Sequence, residues 1–222
     1  MKISENTKLL YQWIAQGEHQ QQDFKFEISN AKKIAKTLSA FANTQGGRLL
    51  IGVKDNGRIA GVESEEELYM IESAADIFCT PPVKYESELF EMEDGKHVLC
   101  INIPKENNPP IYAKDEQGRI WAYLRYNDQN ILADKVQLEV LKNRSKPKGE
   151  FISYTQEEEY LLDTLEENLG ITINKLAKAT QISRTKVIEL LTKFTLFDVV
   201  HAEPQNNKFV SPQNGAIKYN SV

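Results

Sequence analysis

Cysteine is nearly absent: Cys79 and Cys100 are the only two in 222 residues. They lie too far apart for a CxxC motif and are too few for a disulfide framework, so a reducing, cytoplasmic setting is expected. The three histidines, His19, His97 and His201, stand alone with no HExxH pattern, so zinc is not expected. Neither a GxSxG elbow nor any Ser/His/Asp grouping is present. No window approaches eighteen uncharged apolar residues, and the N-terminal stretch is not built like a signal peptide. A membrane partner is therefore not expected. Internal repeats and low-complexity tracts are also missing. So is a basic excess: 27 Lys and Arg face 32 Asp and Glu, a net charge of −5, which counts weakly against phosphate binding by the chain as a whole.

The composition is that of an ordinary globular protein, 41% hydrophobic and 27% charged, with length enough for one or two domains. A helix is expected from Glu5 to Gln16, stopped by Gly17. Asp23 to Ile28 alternates, with Phe24, Phe26 and Ile28 on one side, which predicts a half-buried strand. Ala31 to Ala42 sets Ile34, Leu38, Phe41 and Ala42 on one helical stripe. Arg48 to Val53 reads as a strand buried on both faces. Asp55-Asn56-Gly57 is a tight turn into a returning arm, Arg58 to Val62. A helix after Ser64, strands over Val83–Glu93 and Lys96–Ile103, and a pair over Ile111–Lys114 and Arg119–Arg125 follow. Asp134 to Leu141 reads as a short closing helix. The polar, Pro- and Gly-containing stretch 144–153 is the best linker in the chain. It separates a first domain, 1–143, from a second, 154–222.

Thr155-Gln156-Glu157-Glu158 is a capping box opening a first helix in the second domain. Ile173 to Thr180 and Arg184 to Phe194, the latter capped by Ser183, fit helix-turn-helix spacing. A hairpin over Val199–Glu203 and Lys208–Val210 would complete a winged helix. The stretch 171–193 holds five bases against Glu189, a basic face in an otherwise neutral domain. In such a fold Ser183, Arg184, Thr185 and Lys186 would meet bases and phosphates, and Lys175 and Lys178 would meet the backbone. Trp121 and Tyr123 alternate with Arg119 and Arg125, an arrangement able to stack on bases and pair with phosphates. Ordinary sheet packing accounts for it equally well.

The sharpest local pattern is Ser39-Ala40-Phe41-Ala42-Asn43-Thr44-Gln45-Gly46-Gly47, continued by Leu50-Ile51-Gly52-Val53-Lys54-Asp55-Asn56-Gly57-Arg58-Ile59-Ala60-Gly61. It resembles the Schlafen AlbA-like family, a group associated with DNA binding. Glu18 and Asp23-Phe24-Lys25 match the family's early acidic positions, and Tyr123-Leu124-Arg125-Tyr126-Asn127 looks like its later Tyr-x-Arg strand. The resemblance spans nearly all of the first domain and implies an α+β fold. That fold is a mixed, mostly antiparallel sheet with helices, with a winged helix downstream as in many bacterial members. Asn43, Gly46 and Gly47 belong to the motif, though helix-ending geometry alone can demand them. Some members are metal-dependent endoribonucleases working through three acids. The resemblance then implies Glu18, Asp23 and Asp55 as ligands for Mg²⁺ or Mn²⁺. Asp23 is a methylene shorter than the usual Glu, and Asp55 sits where turns favour Asp anyway. Outside that alternative no cofactor is expected. Gly47-x4-Gly52 lacks the lysine of a phosphate-binding loop and spans a strand, so that motif is excluded.

These features predict a transcriptional regulator or accessory protein whose partner is DNA, with RNA as the second choice. A homodimer is the expected assembly, because helix-turn-helix proteins commonly read palindromes. The alternatives are the endoribonuclease and a protein-interaction adaptor.

Overall fold

A computed structural model describes residues 5–62, 64–145, 154–168, 170–203 and 208–210. The chain divides into two compact units, Met1–Ala133 and Asp134–Val222.

The first unit contains α1 (Glu5–Ala15), β1 (Gln22–Lys25), α2 (Ala31–Asn43), β2 (Gly47–Ile51), α3 (Ser64–Asp76), β3 (Cys79–Thr80), β4 (Glu86–Glu91), β5 (His97–Ile103), β6 (Tyr112–Lys114), β7 (Ile120–Tyr126) and β8 (Gln129–Leu132). The strands form two four-stranded sheets, ordered β1-β2-β5-β4 and β3-β6-β7-β8. β1 runs parallel to β2 and the other pairings are antiparallel. The α+β class with a mixed, mostly antiparallel arrangement is therefore observed, though in two sheets.

Strands β2 and β5 sort their side chains onto two cores, since successive residues point to opposite faces. Leu49, Ile51, Leu99 and Ile101 join Ile34, Leu38 and Phe41 of α2 and Ile71 of α3. Leu50, Val98 and Cys100 face the other way, toward Leu10 of α1, Phe24 and Phe90. Leu49, Leu50 and Ile51 are all fully buried, as the unbroken apolar run predicts, and each contributes about 1.5–3 kcal/mol.

The first strand departs from its expected alternation. It ends at Lys25, and Phe26 is exposed while Asp23 is buried. Phe26 instead lies under the Lys54 ammonium, 5.0 Å from its ring centre. Asp23 tolerates burial because two cations neutralise it. The arm after Asn56-Gly57 pairs through one bridge, Val53 with Ile59, and is not a strand.

The second unit contains α4 (Lys135–Asn143), α5 (Gln156–Glu167), β9 (Ile171–Thr172), α6 (Ile173–Thr180), α7 (Arg184–Leu196), β10 (His201–Glu203) and β11 (Lys208–Val210). The three strands pair antiparallel in the order β10-β11-β9. The unit begins earlier than the boundary expected at residue 143. Helix α4 starts afresh from an Asp134 capping box with Gln137, and its Val136 is buried in one core with Leu161, Leu176, Leu191 and Phe194. Most of the expected linker, 146–153, lies outside the described residues. The Thr155 box on α5 is present: Thr155 Oγ1 accepts from the Glu158 amide at 3.3 Å, and Glu158 Oε2 accepts from the Thr155 amide at 2.9 Å.

Candidate nucleic-acid interface

Glu18 and Asp23 come together, and Asp55 does not join them in a metal-binding group. Among the described residues no three His, Cys, Asp or Glu side chains are placed to hold a metal ion. Asp23 is 3% exposed. Its Oδ1 accepts from Arg125 Nη2 at 3.1 Å, and its Oδ2 pairs with Lys25 Nζ at 2.7 Å. Glu18 Oε1 accepts from the Phe24 amide at 2.8 Å. Burial raises the Glu18 carboxyl above the usual range, and a hydrogen bond and repulsion from Asp23 add to this against the lowering by Phe24 and Lys25. Asp55 stays exposed in its turn. The acidic trio is thus not assembled among the described residues: both Asp23 oxygens face cations and Glu18 holds the strand backbone.

Arg125, expected at a nucleic-acid surface, is an interior residue with 3% exposure. Its Nη2 also donates to the Gln22 carbonyl at 3.0 Å and its Nη1 to Asn130 Oδ1 at 3.0 Å. The guanidinium lies 5.0 Å from the Phe41 ring centre. Alternation in β7 places it on the side facing α2, and Asp23 supplies the charge that makes burial tolerable. Arg119 remains at the surface, where its Nε donates to Asp115 Oδ2 at 2.8 Å. Trp121 donates to that same oxygen at 3.2 Å.

The motif residues explain themselves through packing. Asn43 is fully buried; it donates to the Ile111 carbonyl at 2.8 Å and the Tyr123 carbonyl at 3.0 Å, and accepts from the Ile111 amide at 2.7 Å. It thus ties α2 to the second sheet. Gly46 turns the chain at φ +73°. Gly47 has an ordinary φ, and what requires glycine there is space. A Cβ would stand 2.6 Å from the Phe41 ring and 2.9 Å from the Gln21 carbonyl.

In the second unit, Gln181 at φ +60° breaks the chain between α6 and α7. The Ser183 hydroxyl accepts from the Lys186 amide at 3.3 Å, so this predicted contact residue caps α7. Arg184 is exposed, and its Nε donates to Asn174 Oδ1 at 2.9 Å. Lys186 pairs with Glu189 at 2.9 Å, which raises its ammonium above the ordinary lysine value. Lys193 pairs with the buried Glu158 at 2.9 Å. Lys175 and Lys178 are exposed and form no ion pair among the described residues.

One feature escaped the sequence. Val187, Leu190, Leu191 and Phe194 turn one face of α7 inward. At 100° per residue, Thr185 and Thr192 lie on the side away from those four residues, and Ile188 stands between, packed at the edge of the core. A groove of about 620 Å³ is lined by Thr185, Ile188 and Thr192 of α7 and by Leu138 and Glu139 of α4. Thr192 is 7% exposed, so α4 covers α7 at that position, while Thr185 stays exposed. Val136 and Val140, spaced i, i+4 after a fresh capping box, were the available signal.

Sequence profiles now place the first unit. The profile of the family described as Schlafen, AlbA_2 matches residues 18–134, more than half of the chain. The chain belongs to the Schlafen AlbA_2 family. Among solved structures it is similar to the solution NMR structure of the N-terminal domain of a protein described as ATP-dependent DNA helicase RecG-related, from Nitrosomonas europaea. The identity is 22%, the match covers 69% of this chain and 100% of that one, and the TM-score is 0.43. No curated protein matches the chain. No helix among the described residues of this Schlafen AlbA_2 member is long and apolar enough to cross a membrane.

Proposed function

We propose that this Schlafen AlbA_2 protein binds nucleic acid, duplex DNA in particular, through its second unit, and that it serves transcriptional regulation. The observation that carries this reading is the outer face of α6. Asn174, Lys175 and Lys178 share that face at helical spacing, no acid interrupts it, and the Asn174–Arg184 hydrogen bond joins it to the start of α7. Three cations on one continuous surface suit successive phosphates. Three helices with a β9-β10-β11 sheet accord with a winged helix, whose hairpin flanks such a surface.

Because α4 packs along α7 and leaves Thr192 only 7% exposed, backbone contact by Lys175, Lys178 and Arg184 outweighs base reading by the middle of α7. The expected binding is strongly salt-dependent and weakly selective for sequence. Titrating the full chain with mixed duplex DNA at two salt concentrations tests this. Affinity that falls with salt supports it, and no binding at low salt refutes it.

A further inference from the structure

At the end of β2 away from Asp55, the first unit holds a cavity of about 570 Å³ in which several polar side chains meet. Its floor is one row of the sheet. Arg48 of β2 stands beside Asn102 of β5, which stands beside Glu86 of β4. Gln21, Lys84 and Tyr85 form walls. Arg48, Lys84 and Glu86 line one cavity, and none forms an ion pair among the described residues. Arg48 is half-buried, with its guanidinium 4.4 Å from the ring centre of Trp13. Trp13 is itself held edge-on by Phe90 at 5.8 Å. An arginine held over an indole, with its donors unclaimed by any carboxylate among the described residues, is pre-organised for bidentate contact with an outside oxyanion. Burial also lowers its pKa below the ordinary arginine value.

The far wall has the opposite chemistry. Strands two positions apart in a sheet lie about 9–10 Å apart, which sets Glu86 roughly that distance from Arg48 across Asn102. A carboxylate there repels a second anion and accepts hydrogen bonds from hydroxyls. An anionic end, a carboxamide at mid-span and a hydroxyl acceptor together fit a molecule with one phosphate and a neighbouring diol.

We propose that this cavity binds a ribonucleoside monophosphate group, with Arg48 and Lys84 on the phosphate, Asn102 between, and Glu86 on the ribose hydroxyls. The group comes either as a free nucleotide or as the phosphorylated end of an RNA strand. This site lies in the first unit and stands apart from the DNA reading of the second.

The test is isothermal titration of the full chain with each of the four ribonucleoside 5′-monophosphates and their 2′-deoxy counterparts. Short RNAs with and without a 5′-phosphate form the second arm. Saturable binding of free ribonucleotides, or of only the phosphorylated RNA, is expected, and which arm binds identifies the source. Arg48→Gln should weaken binding about tenfold or more, the equivalent of one charge-assisted hydrogen bond. Glu86→Gln should leave phosphate recognition in place and reduce the preference for ribose over deoxyribose. Trp13 and Trp121 fluorescence and thermal melting check that each variant is folded. If Arg48→Gln is unstable, Lys84→Met and Glu86→Gln at exposed positions still decide the matter. No binding in either arm, or equal affinity in the folded variants, overturns the proposal.

Discussion

Replacing Arg125 by methionine keeps most of the side chain's apolar length and removes the charge. In the native fold this guanidinium donates to Asp23, to Asn130 and to the Gln22 carbonyl, and lies over Phe41. Asp23 and Arg125 are each 3% exposed. Removing one partner of a buried pair costs about 3–5 kcal/mol, because the remaining charge is uncompensated. Lys25 stays 2.7 Å from the other Asp23 oxygen, so the lower end, about 3 kcal/mol, is expected. Both tryptophans, Trp13 and Trp121, lie in the first unit, so their fluorescence in a urea titration follows that unit by itself. With a slope of about 1–3 kcal/mol per molar urea, the midpoint should fall by about 1–3 M. The Asp23→Asn, Arg125→Met double variant should lose less than the sum of the single losses, by more than about 1 kcal/mol. A loss below about 1 kcal/mol in Arg125→Met would refute the interior assignment and return Arg125 to the surface.

Gly47→Ala should destabilise the same unit by about 1–3 kcal/mol, since its Cβ meets the Phe41 ring and the Gln21 carbonyl; an unchanged fluorescence-monitored melt would contradict this. Val136→Ala should cost the second unit about 1–2 kcal/mol, as loss of buried methyl groups predicts. A fragment starting at Asp134 should likewise be more stable by circular dichroism than one starting at Arg144, and equal stabilities would restore the later boundary. Glu158 is raised by burial, but the Thr155 amide and Lys193 outweigh that and set its carboxyl below the usual value. A depressed folded pKa adds stability above the unfolded value of about 4.3 that is lost as pH falls through the folded one. Between about pH 5 and pH 3 the native second unit should therefore lose more stability than Glu158→Gln, which keeps the capping box. Parallel acid profiles would exclude the Lys193 pair as the cause.

Much of the fold was legible because its strongest signals are local. The run Leu49 to Val53, the helix ending before Gly46-Gly47 and the Ser183 cap each follow from a few adjacent residues. Three of the short strands were not legible. β3, β8 and β9 have two to four residues each, and pairing partners rather than sequence define them. Alternation misled at β1, where Phe26 and Asp23 trade places because the ion pairing of Asp23 depends on Arg125, 102 residues away. The position of α4 was missed for a related reason. The polar stretch after Asn143 reads as a boundary, while burial of Val136 against α5–α7 is a tertiary fact. At the candidate site, charge and helical spacing marked Lys175, Lys178 and Arg184. They could not show that Lys186 and Lys193 are already paired, or that Arg48 stands unpaired beside a cavity.

The measurement that bears most directly on the nucleic-acid reading compares the full chain with a Lys175→Ala, Lys178→Ala variant on mixed duplex DNA across salt concentrations. The two lysines lie on the exposed face of α6, and their removal leaves the core untouched. If both contact phosphates, the slope of log affinity against log salt falls by about 2, and affinity drops alike on every sequence. Native affinity and an unchanged slope in the variant would contradict the account and move the nucleic-acid contact away from α6.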